Sequence, residues 1–158
     1  MIRIGVFSDS HGDLESLRIA VEHAGKLELA IHCGDFYEDL VQVLKGTDVI
    51  YKGVCGNVDF IRSAPVEQRI EIGGLSIFVT HGHRYDVKHD LQGLFYRGLE
   101  LEVDLCLFGH THIAQVVQKE GLILMNPGSV SLPKNRQSPS YGLIEIEHKI
   151  PNCTIINF

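Results

Sequence analysis

Five short polar segments each follow an apolar run of the strand type, and they contain the residues with the most useful chemistry. The segments are Asp9-Ser10-His11, Gly34-Asp35, Gly56-Asn57-Val58-Asp59, His81-Gly82-His83 and Gly109-His110-Thr111-His112. Carboxylate groups supply hard oxygen ligands, imidazole rings supply borderline nitrogen ligands, and asparagine supplies a neutral amide oxygen. This mixture suits Mn, Fe, Zn, Co or Ni better than Ca or Mg, which prefer shells of oxygen alone. The residue types therefore predict a transition-metal site.

The spacing inside two of these segments predicts paired ligands. In an extended backbone, residues i and i+2 point to the same side. Asp9 with His11, and His110 with His112, can therefore each present two ligands to one cavity. Each segment alone also has an ordinary interpretation, since an Asp after a strand often caps the next helix and a loop histidine is often simply hydrogen-bonded. Only the combination of all five argues for a metal centre.

The first half of the chain alternates strand patterns with helix patterns. Strands are predicted at 2–7, 29–33 and 49–54, and helices at 36–44 and in the segment that Asp13 can cap. Strand, helix and strand at these spacings favour parallel βαβ units with right-handed crossovers. In open α/β sheets, ligands bind in the crevice outside the carboxyl ends of the strands. We therefore expect the five polar segments to converge in space.

The second half is richer in short strands. Strands are predicted at 68–72, 75–80, 105–108, 114–118, 122–125, 142–147 and 153–156, and the last helix at 87–102. Gly73-Gly74 is a hairpin turn signal, and Glu120-Gly121 and Pro151-Asn152 indicate further turns. These elements predict an α/β sandwich with a partly parallel first sheet and a more antiparallel second sheet.

Length and composition exclude several classes of protein. A chain of 158 residues with 44% hydrophobic and 22% charged residues is expected to form one compact domain, residues 1–158. No apolar run approaches the roughly 18 residues that a membrane span needs, and the first residues lack the pattern of a signal peptide, so we expect a cytoplasmic protein. The net charge of -6 argues against a generic nucleic-acid or anionic-membrane surface. The four scattered cysteines form no CxxC pair and are expected to be small buried side chains.

In these residues and their order, the chain resembles the calcineurin-like metallophosphoesterase superfamily. The superfamily pattern of D-x-H, G-D, G-N, H and G-H-x-H is present in full between Asp9 and His112. Asn126-Pro127-Gly128-Ser129 and Pro133-Lys134 further resemble the small bacterial and archaeal phosphodiesterase branch. The resemblance implies a four-layer αββα sandwich with two mixed β-sheets and a metal site at the carboxyl-terminal ends of the strands.

The resemblance also implies two divalent metal ions per chain. The first ion would be held by Asp9, His11, Asp35 and His112, and the second by Asp35, Asn57, His81 and His110. A hydroxide bridging the two ions would attack a small phosphodiester, with Asn57, His81 and His83 as the catalytic residues. We expect Mn at both positions, with Fe, Ni, Co or Zn as alternatives.

One position departs from the superfamily pattern. Many members have a histidine directly after G-N, near the leaving group, whereas this chain has Val58. A general acid typically contributes about 10²–10⁴-fold to the rate, so we expect slow turnover that favours leaving groups able to depart without a proton. His83 is the nearest candidate substitute and is otherwise a contact to the substrate phosphate or to a metal ligand. Asp59 is expected to orient a ligand loop through hydrogen bonds.

Other functions remain open at this point. The chain could be a phosphomonoesterase or nuclease of the same superfamily, although it has no basic stripe and no room for the accessory domains of nucleases. It could also be a protein-binding scaffold like the retromer scaffold subunit. We expect a small phosphodiester as the partner, with no membrane and no extended nucleic-acid surface, and the resemblance leaves a homodimer or a higher homo-oligomer open. Four basic residues could reach a phosphate from the rim of the site, although each is by itself an ordinary solvated charge: Arg62, Arg84, Lys88 and Arg97.

Overall fold

The computed structural model describes residues 1–158 as ten strands, three α-helices and one short 3-10 helix. The strands are β1 (Ile2–Phe7), β2 (Leu29–His32), β3 (Ile50–Gly53), β4 (Glu67–Ile72), β5 (Leu75–Thr80), β6 (Leu105–Leu107), β7 (Gln115–Lys119), β8 (Leu122–Asn126), β9 (Ser140–Glu147) and β10 (Ile150–Asn157). The helices are α1 (Leu14–Ala24), α2 (Tyr37–Val43) and α3 (Gln92–Glu100), and the 3-10 helix is His83–Tyr85. None of these helices combines the length and the hydropathy that a membrane crossing requires.

The strands form two mixed sheets of five strands each. The first sheet has the order β10-β9-β1-β2-β3 and the second has the order β4-β5-β6-β8-β7. In the first sheet β1, β2 and β3 are parallel, and β9 and β10 are added in antiparallel pairings. The second sheet also contains two parallel pairings, β5 with β6 and β6 with β8. The expectation of a more antiparallel second sheet was therefore wrong, because β7 forms the outer strand of a hairpin and β8 returns beside β6 in the same direction.

Three apolar clusters hold the layers together. The largest lies between the two sheets, where Ile4 and Val6 of β1 and Ile77 and Val79 of β5 are fully buried. Successive strand residues point to opposite faces, so Phe78 points outward and packs in the cluster that also contains residues of α3. A third cluster packs α1 and α2 on the outer face of the first sheet. The order of layers is α, β, β, α, as the resemblance implied.

Helix α1 begins where the sequence predicts and fixes the loop that precedes it. Asp13 is its N-cap and accepts a hydrogen bond from the backbone N–H of Ser16 at 3.0 Å, an interaction typically worth about 1 kcal/mol. Gly25 ends the helix with a φ of 72°. The segment between β1 and α1, which contains Asp9 and His11, is therefore held at both ends.

Two element boundaries differ from the sequence predictions by three or more residues. Helix α3 begins at Gln92 rather than at residue 87, because the Asp90 carboxylate accepts the Gln92 N–H at 2.9 Å and the preceding residues form a 3-10 helix and turns. Val87 lies in this irregular segment and packs in the same apolar cluster as α3. It therefore continues the apolar spacing of the helix pattern although it is not helical. The second difference is at Pro151, which lies in β10 rather than in a turn. A proline is tolerated there because β10 is an edge strand.

Candidate metal centre

The five polar segments converge at one edge of the sandwich, where strands of both sheets end. Asp9 and His11 follow β1, and Asp35 follows β2, both in the first sheet. His81 follows β5 and the segment from Gly109 to His112 follows β6, both in the second sheet. Backbone hydrogen bonds link these segments in pairs: Asp9 N–H donates to the Gly34 carbonyl, and Gly109 N–H donates to the His81 carbonyl, each at 3.0 Å. The centre therefore lies across the junction of the two sheets.

The backbone of this centre is left-handed rather than extended. Asp9, His11, Asp35, His110 and His112 all have φ values between 49° and 69°. The argument from i and i+2 in an extended chain was therefore wrong about the local conformation, although the side chains do converge. Non-glycine residues in this region cost of order 1–3 kcal/mol each and concentrate at functional sites.

The Asp9 carboxylate lies at the middle of the cluster and is fully buried. Its Oδ2 atom accepts hydrogen bonds from the Ser8 hydroxyl at 2.5 Å and from the His110 backbone N–H at 3.0 Å. Its Oδ1 atom makes no hydrogen bond. That atom lies 3.2 Å from Nε2 of His112, 3.7 Å from Nε2 of His11 and 3.9 Å from Nε2 of His81.

Backbone carbonyls fix the orientation of two of these rings. Nδ1 of His81 lies 2.7 Å from the Cys33 carbonyl oxygen, and Nδ1 of His112 lies 2.7 Å from the Leu132 carbonyl oxygen. A carbonyl only accepts, so Nδ1 carries the proton and Nε2 of the neutral ring presents a lone pair to the carboxylates. Two facing lone pairs repel unless a proton or a metal cation lies between them. The buried and unpartnered atoms Asp9 Oδ1, His11 Nε2 and His81 Nε2 therefore fit a bound cation.

Asp35 places its two carboxylate oxygens toward two different histidines. Oδ2 lies 3.4 Å from Nε2 of His11, and Oδ1 lies 3.3 Å from Nε2 of His81. On the first side, the ligand atoms of Asp9, His11, Asp35 and His112 all lie within 4.8 Å of one another. On the second side, the rings of His81 and His110 are 5.0 Å apart between centroids. Asp35 thus separates two groups of possible ligands.

The electrostatics of the cluster favour positive charge. Burial opposes ionisation of Asp9, but the nearby imidazoles of His11 and His112 outweigh it and hold the pKa of Asp9 well below its usual range. The Asp9 carboxylate raises the pKa of His11. Burial alone would lower the pKa of His81, but the carboxylates of Asp35 and Asp9 raise it. The pKa of His110 falls to about 4, because burial and the charges of His81 and Lys88 disfavour its protonated form.

Asn57 is the only exposed residue among the predicted metal ligands. Its side chain is exposed and makes no hydrogen bond with the other predicted ligands. It lines a cleft of about 210 Å³ together with Arg62 and His83. The ring of His83 lies 5.4 Å from that of His81, its Nδ1 atom is buried without a hydrogen bond, and burial lowers its pKa. Asn57 and His83 therefore border the cluster on one side, and Asn57 does not touch it.

Asp59 holds the ligand loops as the sequence predicts. Its carboxylate accepts hydrogen bonds from the backbone N–H groups of Asp35 at 2.9 Å, Phe36 at 2.5 Å and Gly56 at 2.5 Å. The neighbouring Val58 N–H donates to Oδ1 of Asp35 at 3.3 Å. This network ties the loop after β3 to the loop after β2.

Three buried polar residues support the centre, and sequence reasoning gave none of them a role there. Ser8 donates to Asp9, and the Ser129 hydroxyl donates to the Asp9 carbonyl at 2.8 Å. The Asn126 amide donates to the Gly109 carbonyl at 3.0 Å and to the Thr111 hydroxyl at 2.9 Å. The signal that could have identified Asn126 is a polar residue that ends the apolar strand β8 and is fully buried. The loop also needs its glycine, since a Cβ at Gly109 would lie 2.1 Å from Oγ of Ser8.

Comparison with known proteins assigns this architecture to a family. The model of the calcineurin-like phosphoesterase superfamily domain matches residues 2–149. A probable metallophosphoesterase of Bacillus subtilis is 38% identical over 144 residues, which covers 90% of this chain and 83% of that protein. A phosphodiesterase of Methanocaldococcus jannaschii is 27% identical over 165 residues, which covers 94% and 95% of the two chains.

Solved structures agree with the fold. A predicted phosphoesterase of Streptococcus pneumoniae superimposes with a TM-score of 0.84 at 30% identity, covering 99% of this chain and 89% of that one. The zinc complex of Vps29 from Entamoeba histolytica superimposes with a TM-score of 0.77 at 21% identity, covering 98% of both chains. At this identity, the likeness to the Entamoeba histolytica structure shows the fold alone.

Proposed function

The chain belongs to the calcineurin-like phosphoesterase superfamily, and on this premise we propose that it is a metal-dependent phosphodiesterase acting on small phosphodiesters. The phosphodiesterase name of the relative from Methanocaldococcus jannaschii supports the type of reaction. The observation that carries the proposal is the division of the Asp35 oxygens, with Oδ2 facing His11 and Oδ1 facing His81. We also propose that residues 1–158 act as a single domain.

The proposed ligand sets are those that the resemblance implies. Asp9, His11, Asp35 and His112 would hold one ion, which is supported by their mutual distances of no more than 4.8 Å. Asp35, Asn57, His81 and His110 would hold the other, which requires the exposed Asn57 side chain to turn toward His81. A carboxylate suits the shared position because it has two oxygens to contribute. We propose Mn as the native ion, with Fe, Ni, Co or Zn as alternatives.

Two bound ions would supply an acidified water molecule as the nucleophile and neutralise the charge of the phosphoryl oxygens. The residues of the chain position the ligand atoms. The carbonyls of Cys33 and Leu132 hold the rings of His81 and His112 with Nε2 directed inward. Asp9 is held by Ser8 and by the His110 backbone, so its second oxygen stays directed at the histidines. Water adds to phosphorus and one ester oxygen leaves, which gives a phosphomonoester and an alcohol.

The site offers few groups that could protonate the leaving oxygen. The side chain of Val58 can neither donate nor accept a proton. His83 lies beside His81 and His110, with ring centroids 5.4 Å and 6.1 Å away, and its buried Nδ1 atom has no partner. We propose Asn57, His81 and His83 as the catalytic residues, with Asn57 and His81 as ligands of the second ion and His83 as the group that could hold a proton for the leaving oxygen. Esters of acidic alcohols, such as p-nitrophenol, should therefore be the best substrates.

Hydrolysis of bis-p-nitrophenyl phosphate tests the proposal. The protein should release p-nitrophenol, lose this activity on chelation and regain it with Mn²⁺. Asp9→Asn should abolish the activity, whereas Asp48→Asn, in an exposed segment, should not change it. A folded protein that stays inactive with every candidate metal would contradict the proposal and favour the protein-binding scaffold.

A further inference from the structure

A second and larger cleft lies beside the metal centre and takes no part in the function proposed so far. Its volume is about 480 Å³, and its lining includes Lys88, His89, Asp90, Thr111, Ile113 and Lys134. Thr111 separates His110 from His112, so the cleft borders the same loop that supplies two of the proposed ligands. Clefts that bind small molecules commonly measure about 300–1,000 Å³. This one can therefore accommodate a part of the substrate much larger than a single ion.

The two lysines give the cleft a positive charge that the protein does not neutralise. Neither ammonium group has a carboxylate within 4.0 Å, although the chain has a net charge of -6. Lys88 lines the same cleft as Thr111, which lies between His110 and His112 in the chain. Lys134 is tied to the centre through its backbone, because its N–H donates to the His112 carbonyl at 3.1 Å. Both lysines therefore line the cleft beside the proposed ligand loop.

The carboxylate in the cleft is already engaged. Asp90 accepts the backbone N–H of Gln92 at 2.9 Å, and its other oxygen lies 3.6 Å from Nε2 of His89. It offsets one of the two lysine charges, so the cleft keeps an excess of positive charge. A phosphodiester has only one negative charge, which the metal centre would already attract. The excess positive charge of the cleft lies beside that centre and would add most affinity for a substrate with a second anionic group.

Building on the proposed function, we propose that this cleft binds a second anionic group of the substrate, a phosphomonoester distinct from the scissile diester, and that Lys88 and Lys134 select it. The substrate class is then a diester whose non-leaving side has its own phosphate. Lys88 and Lys134 act as specificity residues and have no part in bond breaking. The occupant of the remaining space would be the sugar-sized group that joins the two phosphates.

A binding measurement tests the cleft independently of catalysis. The probe is thymidine 3′,5′-bisphosphate, titrated into chelated protein while backbone amide shifts are followed by NMR. We expect amide shifts at Lys88, Thr111 and Lys134. The double variant Lys88→Gln/Lys134→Gln should bind with a dissociation constant at least about tenfold higher, since charge-assisted contacts are lost. Lys26→Gln/Lys45→Gln, which removes two exposed lysines outside the cleft, should bind as the unaltered protein does. Equal affinity of all three proteins would overturn the proposal.

A kinetic comparison tests the selectivity itself. The p-nitrophenyl ester of thymidine 5′-phosphate and the same ester with an added 3′-phosphate have the same scissile bond and leaving group. The metal-loaded protein should prefer the phosphorylated ester by about tenfold or more in kcat/KM, and the double lysine variant should lose this preference. Hydrolysis of both esters at equal rates would refute the second subsite and leave the proposed function intact. Hydrolysis of neither ester would refute the proposed function, and the binding measurement would then decide on the cleft alone.

Discussion

Nε2 of His81 lies 3.3 Å from Oδ1 of Asp35, although the two residues follow strands of different sheets. The opposite ring nitrogen of His81 donates to the Cys33 carbonyl, so the short contact joins a nitrogen lone pair to a carboxylate oxygen. Such a contact is stable only with a proton or a metal cation between the two atoms. A cation held there would join the two sheets at their strand ends, and its binding should therefore stabilise the fold as well as form the site.

Asp35→Asn is expected to weaken both metal sites together. The substitution removes the negative charge and leaves one oxygen where the proposed shared ligand needs two. Elemental analysis after gel filtration should show loss of both ions, while Asp48→Asn keeps the metal content of the unaltered protein. Loss of one ion alone would contradict the shared role.

Val58→His is expected to raise turnover of esters with poor leaving groups. Val58 lines a small apolar cleft with Phe36, Phe60 and Ile61 and has no group able to protonate an alkoxide. A histidine there should increase kcat for alkyl esters by about 10²-fold or more and change p-nitrophenyl esters far less. An unchanged rate for alkyl esters in a folded, metal-loaded variant would refute this account of slow turnover.

Asp59→Ala is expected to lower metal affinity without removing a ligand. The Asp59 carboxylate accepts hydrogen bonds from the backbone N–H groups of Asp35, Phe36 and Gly56. In the variant, the loop that contains the shared ligand loses these hydrogen bonds. Titration with Mn²⁺ should give an affinity about 10–100-fold weaker. The same affinity as in Asp48→Asn would show that this network does not position the ligand.

His32 is expected to make the metal-free protein less stable in mild acid. The Gly34 N–H donates to Nδ1 of His32, so Nε2 carries the proton and donates to the Ser10 hydroxyl at 2.9 Å. Burial lowers the pKa of His32 to about 4, from 6.5. Protonation is therefore easier in the unfolded chain, and stability is fully present above about pH 6.5 and is lost as the pH falls toward 4.

Denaturant unfolding at several pH values measures this effect. Between these two pKa values the loss is at most about 1.4 kcal/mol per pH unit. His32→Gln cannot titrate and should show a shallower loss than the unaltered protein. An NMR titration of the His32 ring provides a direct check, and a pKa near 6.5 would contradict the prediction.

The regular elements could be predicted from sequence because their signals are local. Strand β1 and helix α1 occur where the apolar periodicity and the Asp13 cap place them. The start of α3 could not be predicted, because Val87 continues the apolar pattern from an irregular segment. The predicted turn at Pro151 was wrong, because His148 and Lys149 take the left-handed conformation that the turn needs and leave the proline in the edge strand.

The residue types of the centre could be predicted, but its geometry could not. The left-handed backbone at Asp9 and His110 depends on contacts between segments that are distant in the chain, including the hydrogen bond from His110 N–H to Asp9. The support from Asn126 likewise comes from another strand of the second sheet. Lys88 was predicted only as one of four rim charges, and its pairing with Lys134 could not be predicted, since the cleft forms only when the segments around these two lysines meet.

The most direct measurement is the number of metal ions that the chelated protein binds. Mn²⁺ would be added to the chelated protein, and bound metal and bis-p-nitrophenyl phosphate hydrolysis would be followed in the same samples. We predict about two ions per chain, with hydrolysis appearing as the second ion binds. Saturation at one ion, or binding of two ions without any hydrolysis, would contradict the account of a two-metal phosphodiesterase.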